Sequence, residues 1–176
     1  MIGLFINTLP VRVQAAPGAS LLSWLHTLQA QQVEARQYEY SPLVQVQRWG
    51  EIAPGLPLFE SLLVFQNYPG RGAFQERMSS LEIREVRFVP RTNYPLTVIT
   101  VPGPELVLRL SYQCACFDTE TIARILGHLQ TLLEGISANP GRQLVDLPLL
   151  PQAEQDQLLV AWNDTSADYA PDTCVH

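Results

Sequence analysis

The chain contains no lysine; all eleven of its cationic residues are arginine. Charge of either sign is scarce, at 16% against the roughly 25% usual in soluble domains, while 47% of residues are apolar. Acidic residues outnumber basic ones and leave a formal net charge of −6. With no basic stripe to displace counterions, sequence-independent binding to nucleic acid or to an anionic membrane is excluded. No uninterrupted apolar run approaches the ~20 residues of a membrane-spanning helix, and the N-terminus lacks the basic-then-apolar layout of a secretory signal. Three irregularly spaced cysteines make no disulfide framework. The expected setting is therefore the cytoplasm, with reduced thiols.

Catalytic groups are missing as well. His26 and His128 sit inside helical patterns and His176 ends the chain; none has a neighbouring His, Asp or Cys at a spacing that builds a metal site or a base with its orienter. Gly70-Arg71-Gly72 is followed by Ala73-Phe74 rather than the Lys-Ser/Thr of a phosphate loop, and there is no Gly-x-Ser-x-Gly elbow. Glu39 and Glu60 are isolated carboxylates. No catalytic residue, metal ligand or directly bound cofactor is expected, and the chain reads as a scaffold.

At 176 residues it suits one domain with a real core. A self-sufficient monomer of this size usually carries more charge, so part of the apolar surface is expected to face a partner or a missing lobe. Residues 2–13 read as a strand that is apolar from the start, as in a chain cut from something longer. Pro17-Gly18 marks a turn and Ser20 an N-cap. The helix after it runs to about Arg36, with Leu21, Leu22, Trp24, Leu25 and Leu28 on one side and a solvated polar end. Residues 43–49 read as a short strand or extended segment, in which Trp49 serves core or interlobe packing. The Pro/Gly loop at 54–57 leads to Ser61–Phe65, a strand expected to be buried on both faces.

A mobile loop is expected over 69–80, then strands near 81–89, 95–101 and 105–116. In the last of these, Leu106, Leu108, Leu110, Tyr112, Cys114 and Cys116 alternate onto one face, which makes both cysteines core residues. Asp118 to about Ile136 is an amphipathic helix stopped by Asn139-Pro140-Gly141, and a short helix spans Pro151 to Trp162 before a polar tail. The class is α/β, a mixed β-sheet covered by helices on one side.

Five segments in order carry a family resemblance. Gly3-Leu4-Phe5-Ile6-Asn7-Thr8 resembles the Gly-x-Phe-Val/Ile-Asn-Thr motif halfway along the condensation domains of nonribosomal peptide synthetases. The stretch from Tyr38 to Trp49, the block Gly55–Pro69 and Thr92-Asn93-Tyr94-Pro95-Leu96 are similar to successive later blocks of that family. Leu149-Leu150-Pro151, Trp162-Asn163-Asp164-Thr165 and Cys174-Val175-His176 look like the linker into a following adenylation domain.

The resemblance implies a chloramphenicol-acetyltransferase-like lobe over residues 1–147 and a linker over 148–176. This would be the C-terminal, acceptor-side half of an amide-bond-forming domain used in antibiotic or other secondary-metabolite biosynthesis. In that family a His-His-x-x-x-Asp-Gly motif in the N-terminal lobe aids attack of the acceptor amine on the donor thioester, and this chain has no such motif. The fragment alone is expected to be inactive. Its implied partners are the N-terminal catalytic lobe, the acceptor-side peptidyl carrier protein with its phosphopantetheine arm, and the adenylation domain, with self-association of the isolated chain at its cut face. Phe5-Ile6-Asn7-Thr8 favours ordinary condensation over epimerisation.

Gly3, Phe5, Asn7, Thr8, Gln45 and Gln47 are the implied tunnel-lining or interlobe residues. For Asn7 and Thr8 the alternative is closure of a bulge or hydrogen bonding to the crossing backbone; for Gln45 and Gln47 it is an exposed strand surface. The alternative for the whole chain is a non-catalytic module of the same fold that docks carrier or adenylation domains.

Overall fold

Residues 6–53, 55–66 and 92–166 are described by the computed structural model. Gly3, Phe5, the loop expected at 69–80 and the strand expected near 81–89 lie outside the described residues. Among the described residues the sheet has three strands in the order β1 (Ser61–Phe65), β2 (Leu96–Val101) and β3 (Val107–Tyr112). It is mixed, as expected: β1 runs parallel to β2, with Ser61 opposite Leu96, and β3 runs antiparallel to β2, with Leu96 opposite Tyr112.

Central β2 is the most enclosed strand. Its sequence Leu-Thr-Val-Ile-Thr-Val is dominated by β-branched residues, which suit a pleated surface packed from both sides. Thr97 is 1% exposed and Ile99 4%. The buried Thr97 hydroxyl is satisfied by the Thr92 hydroxyl at 2.7 Å, which removes the cost of an orphaned polar group. Strand β1 departs from expectation. Leu63 and Phe65 are 72% and 62% exposed, while Leu62 and Val64 are half-buried. The face that carries Leu63 and Phe65 is thus open, and among the described residues β1 has only β2 as a strand neighbour.

Cys114 and Cys116 are exposed, contrary to the core reading. Strand β3 ends at Tyr112, and the amides of Cys116 and Phe117 both bond the Gln113 carbonyl, at 2.9 and 3.1 Å. The backbone curls there, so strand alternation no longer applies to the two thiols. Both should label rapidly with a thiol reagent without unfolding; protection of either thiol in the native state would contradict this turn.

Four helices are described: α1 (Leu21–Ala35), α2 (Leu43–Trp49), α3 (Thr119–Ala138) and α4 (Gln152–Leu159). Asp118 caps α3 by accepting from the Thr121 amide at 2.6 Å and the Thr121 hydroxyl at 3.1 Å. These bonds to its charged form hold the Asp118 carboxyl below the ordinary range. Ile122 is buried on the inward side of α3.

Ser20 stands at the N-cap of α1, but its side chain makes no capping bond. Its backbone instead bridges Gln143. Beside that bridge, the Leu21 amide donates to the Arg142 carbonyl, Leu144 to Ala19 and Val145 to Pro17, at 2.9 to 3.0 Å. The start of α1 is therefore stitched to the chain leaving α3, and Leu21, with no exposure, is sealed beneath the stitch. The outer half of α1 is exposed, as its glutamine-rich sequence implied.

Two glycines of α3 meet prolines from the segment after it. A Cβ on Gly135 would fall 2.6 Å from both Cδ and Cγ of Pro148, whereas a Cβ on Gly127 would meet Pro151 Cγ at an ordinary 3.6 Å. Alanine gains up to ~1 kcal/mol over glycine inside a helix, and overpacking costs about 1–3 kcal/mol. Gly127→Ala should therefore stabilise the chain by about 1 kcal/mol, and Gly135→Ala should destabilise it by up to about 2 kcal/mol. Paired urea titrations read the difference; a shift of the same sign for both would refute the close seat at Gly135.

Candidate functional site

Four of the six residues expected at the site lie on the described chain, and the fold brings them to α2 and its two approaches. Residues 6–13 are not a strand. Side chains hold this segment instead: Trp24 Nε1 donates to the Gln14 carbonyl at 2.8 Å, and Asn7 Nδ2 donates to the carbonyls of Glu39 and Ser41 at 2.9 and 2.7 Å. Asn7 Oδ1 accepts from the Thr8 amide at 2.9 Å. Asn7 is exposed, and its bonds pin the turn that leads into α2, where Ser41 is buried.

Helix α2 corrects the extended reading of 43–49. Leu43, Val44, Gln45, Val46 and Gln47 alternate polar and apolar after Leu43, which mimics a strand, but local bonds decide otherwise. Pro42 sits at the N-cap, and its carbonyl accepts from the amides of Gln45 and Val46 at 2.8 and 3.1 Å. Gly50 ends the helix. Gln45 is an exposed helix residue and takes no partner among the described residues. Gln47 is half-buried, and its Nε2 donates to the Leu56 carbonyl at 2.6 Å. That bond holds the 50–57 loop, where Gly55 adopts φ 92°, a conformation glycine takes without strain.

An open groove beside α2 is lined by Val44, Gln47, Arg48, Gly50, Ile52 and Gly55. Trp49 is 72% exposed, so it is not a core residue.

The chemistry available here is neutral hydrogen bonding plus one guanidinium. Asn7 and Gln47 commit their amide nitrogens to the chain's own carbonyls, so they frame the site. The Thr8 hydroxyl and the Gln45 side-chain amide make no hydrogen bond among the described residues. None of the residues lining the groove carries a carboxylate or an imidazole to move a proton. Among the described residues no three His, Cys, Asp or Glu side chains cluster to hold a metal ion.

One side-chain pair was not legible in the sequence. His128 Nε2 lies 2.5 Å from Glu154 Oε2, and both side chains are mostly buried. The partners stand 26 positions apart, on α3 and α4, so no local spacing could reveal them. His26, by contrast, is an exposed residue of α1.

Comparison with known proteins gives a consistent result. The family model described as "Condensation domain" matches residues 1–159. A linear gramicidin synthase from Brevibacillus parabrevis is 45% identical over 175 residues, covering 99% of this chain and 2% of that protein. Tyrocidine synthase 2 of the same organism is 36% identical over 173 residues, covering 96% and 5%. Bacitracin synthase 3 of Bacillus licheniformis is 34% identical over 180 residues, covering all of this chain and 3% of that protein. The chain thus spans only a few per cent of the length of the relatives it matches.

Proposed function

Because the chain belongs to the condensation-domain family, we propose that it forms the C-terminal, acceptor-side lobe of a domain that joins carrier-bound aminoacyl and peptidyl thioesters in nonribosomal peptide synthesis. The observation that carries this reading is the frame around α2: Asn7, within the segment that resembles the family's Asn-Thr motif, pins the entry to that helix. The six sequence-derived site residues sort into three roles. Asn7 and Gln47 hold the frame. Thr8 and Gln45 meet the phosphopantetheine arm of the acceptor carrier protein, whose amide groups suit a hydroxyl and a carboxamide. Gly3 and Phe5 line the interlobe wall. Residues 1–147 make the lobe and 148–176 lead to an adenylation domain.

The other half of the domain supplies the His-His-x-x-x-Asp-Gly motif and the base chemistry. The exposed apolar side chains Trp49, Leu63 and Phe65 suit surfaces covered by that half or, in the isolated chain, by a second copy.

A carrier protein bearing a photoreactive pantetheine tests the site in the full-length protein. Cross-links should map to the stretches around Thr8 and Gln45. Efficient cross-linking confined to other parts of the lobe would remove these residues from the tunnel.

A further inference from the structure

Beyond Leu147 the chain packs on α3: Pro148 seats at Gly135, and Pro151 and Glu154 meet the helix nearer its start, at Gly127 and His128. The turn into α4 is stiffened by Gln155 Nε2, which donates to the Leu150 carbonyl at 2.8 Å. At the far end Asn163 Nδ2 donates to the carbonyls of Leu158 and Leu159, at 2.7 and 3.2 Å, and so satisfies two groups that a helix C-terminus leaves open. The segment is therefore stiffened from within at both ends of α4.

The two proline seats hold only the part before α4. The helix itself is weakly anchored: Leu158 is half-buried, whereas Leu159, Val160 and Trp162 are exposed. Among the described residues, the His128–Glu154 contact is the only hydrogen bond between α3 and residues 148–163. A carboxylate can only accept, so the imidazole nitrogen facing it carries the hydrogen. Removing either partner would strand the other in a mostly buried position, and that asymmetry makes the pair a strong determinant of whether α4 stays down.

We propose that His128 and Glu154 form a clasp that locks α4 onto α3, making residues 148–163 a rigid bracket that fixes where the next domain of the protein begins. The inference rests on the functional reading above for the existence and identity of that next domain, an adenylation domain. The clasp itself stands on the contacts.

Hydrogen–deuterium exchange on the full-length protein provides the test. His128→Ala and Glu154→Ala should each speed exchange of the α4 amides by about tenfold or more, while β2 and β3 keep their protection. Glu154→Gln keeps an acceptor oxygen and should stay within about threefold of the unmodified protein. The clasp is refuted if α4 already exchanges like an unstructured peptide in the unmodified protein, or if both alanine variants leave it unchanged. It is equally refuted if protection in β2 and β3 falls in parallel with that of α4. None of these readings depends on peptide formation, so failure of the clasp would leave the functional reading intact.

Discussion

Peptide formation from two loaded carrier proteins stays at the no-enzyme level when these 176 residues are the only condensation component supplied. Attack of an amine on a thioester needs a group that positions or deprotonates the amine at the reacting carbon. The groove beside α2 is lined by Val44, Gln47, Arg48, Gly50, Ile52 and Gly55, none of which does this at neutral pH. His128 is engaged with Glu154, and His26 stands exposed on α1. The check is a time course of dipeptidyl-carrier product by mass spectrometry, with the full-length protein as positive control. Product above background from the fragment alone would show that a catalytic group has been overlooked and would end the half-domain reading.

Leu21→Ala should lower stability by about 2–5 kcal/mol, the range for emptying a fully buried leucine site. Leu21 has no exposed surface, and the walls around it are poorly able to collapse. Backbone hydrogen bonds lace residues 17–21 to 142–145, so shrinking the cavity would mean breaking that stitch. Leu22, the next residue along and 46% exposed, provides the contrast. Its replacement by alanine should cost no more than about 1 kcal/mol, since little apolar surface is uncovered. Urea titration of both variants decides the matter; equal costs would mean that Leu21 is not the sealed position.

What could be read in advance depended on the range over which each signal acts. The long helix α3 was legible because its apolar stripe, its Asp118 cap and its Asn139 stop are all local. The mixed sheet followed from the interleaving of helix and strand segments. Failures arose where a local turn or a distant group overrode the residue pattern. The alternation of residues 43–47 suggested a strand, yet Pro42 at the cap and bonds from Asn7 and Gln47 made the segment a helix. The cysteines fell beyond the end of β3, where the chain curls onto the Gln113 carbonyl. The apolar run Ser61–Phe65 could not reveal that only one face is covered. Asn7 and Gln47 were singled out by resemblance, but the carbonyls they hold lie 34 and 9 positions away at the far end of their bonds. The His128–Glu154 pair left no linear trace.

The mixed strand order carries a consequence for the time course of self-assembly. Strands β2 and β3 are joined by the short turn at residues 102–106, whereas β1 must find β2 across residues 66–95. Short hairpins close within about 1–10 μs, but a parallel pairing across a long connection gains its contacts only after loop entropy has been lost. The β2–β3 hairpin therefore nucleates, and β1 condenses onto it late. Until it does, β2 offers an unpaired edge, and Leu63 and Phe65 remain uncovered even afterwards. Kinetic partitioning toward aggregates is decided in that interval, at β1 rather than at the helices.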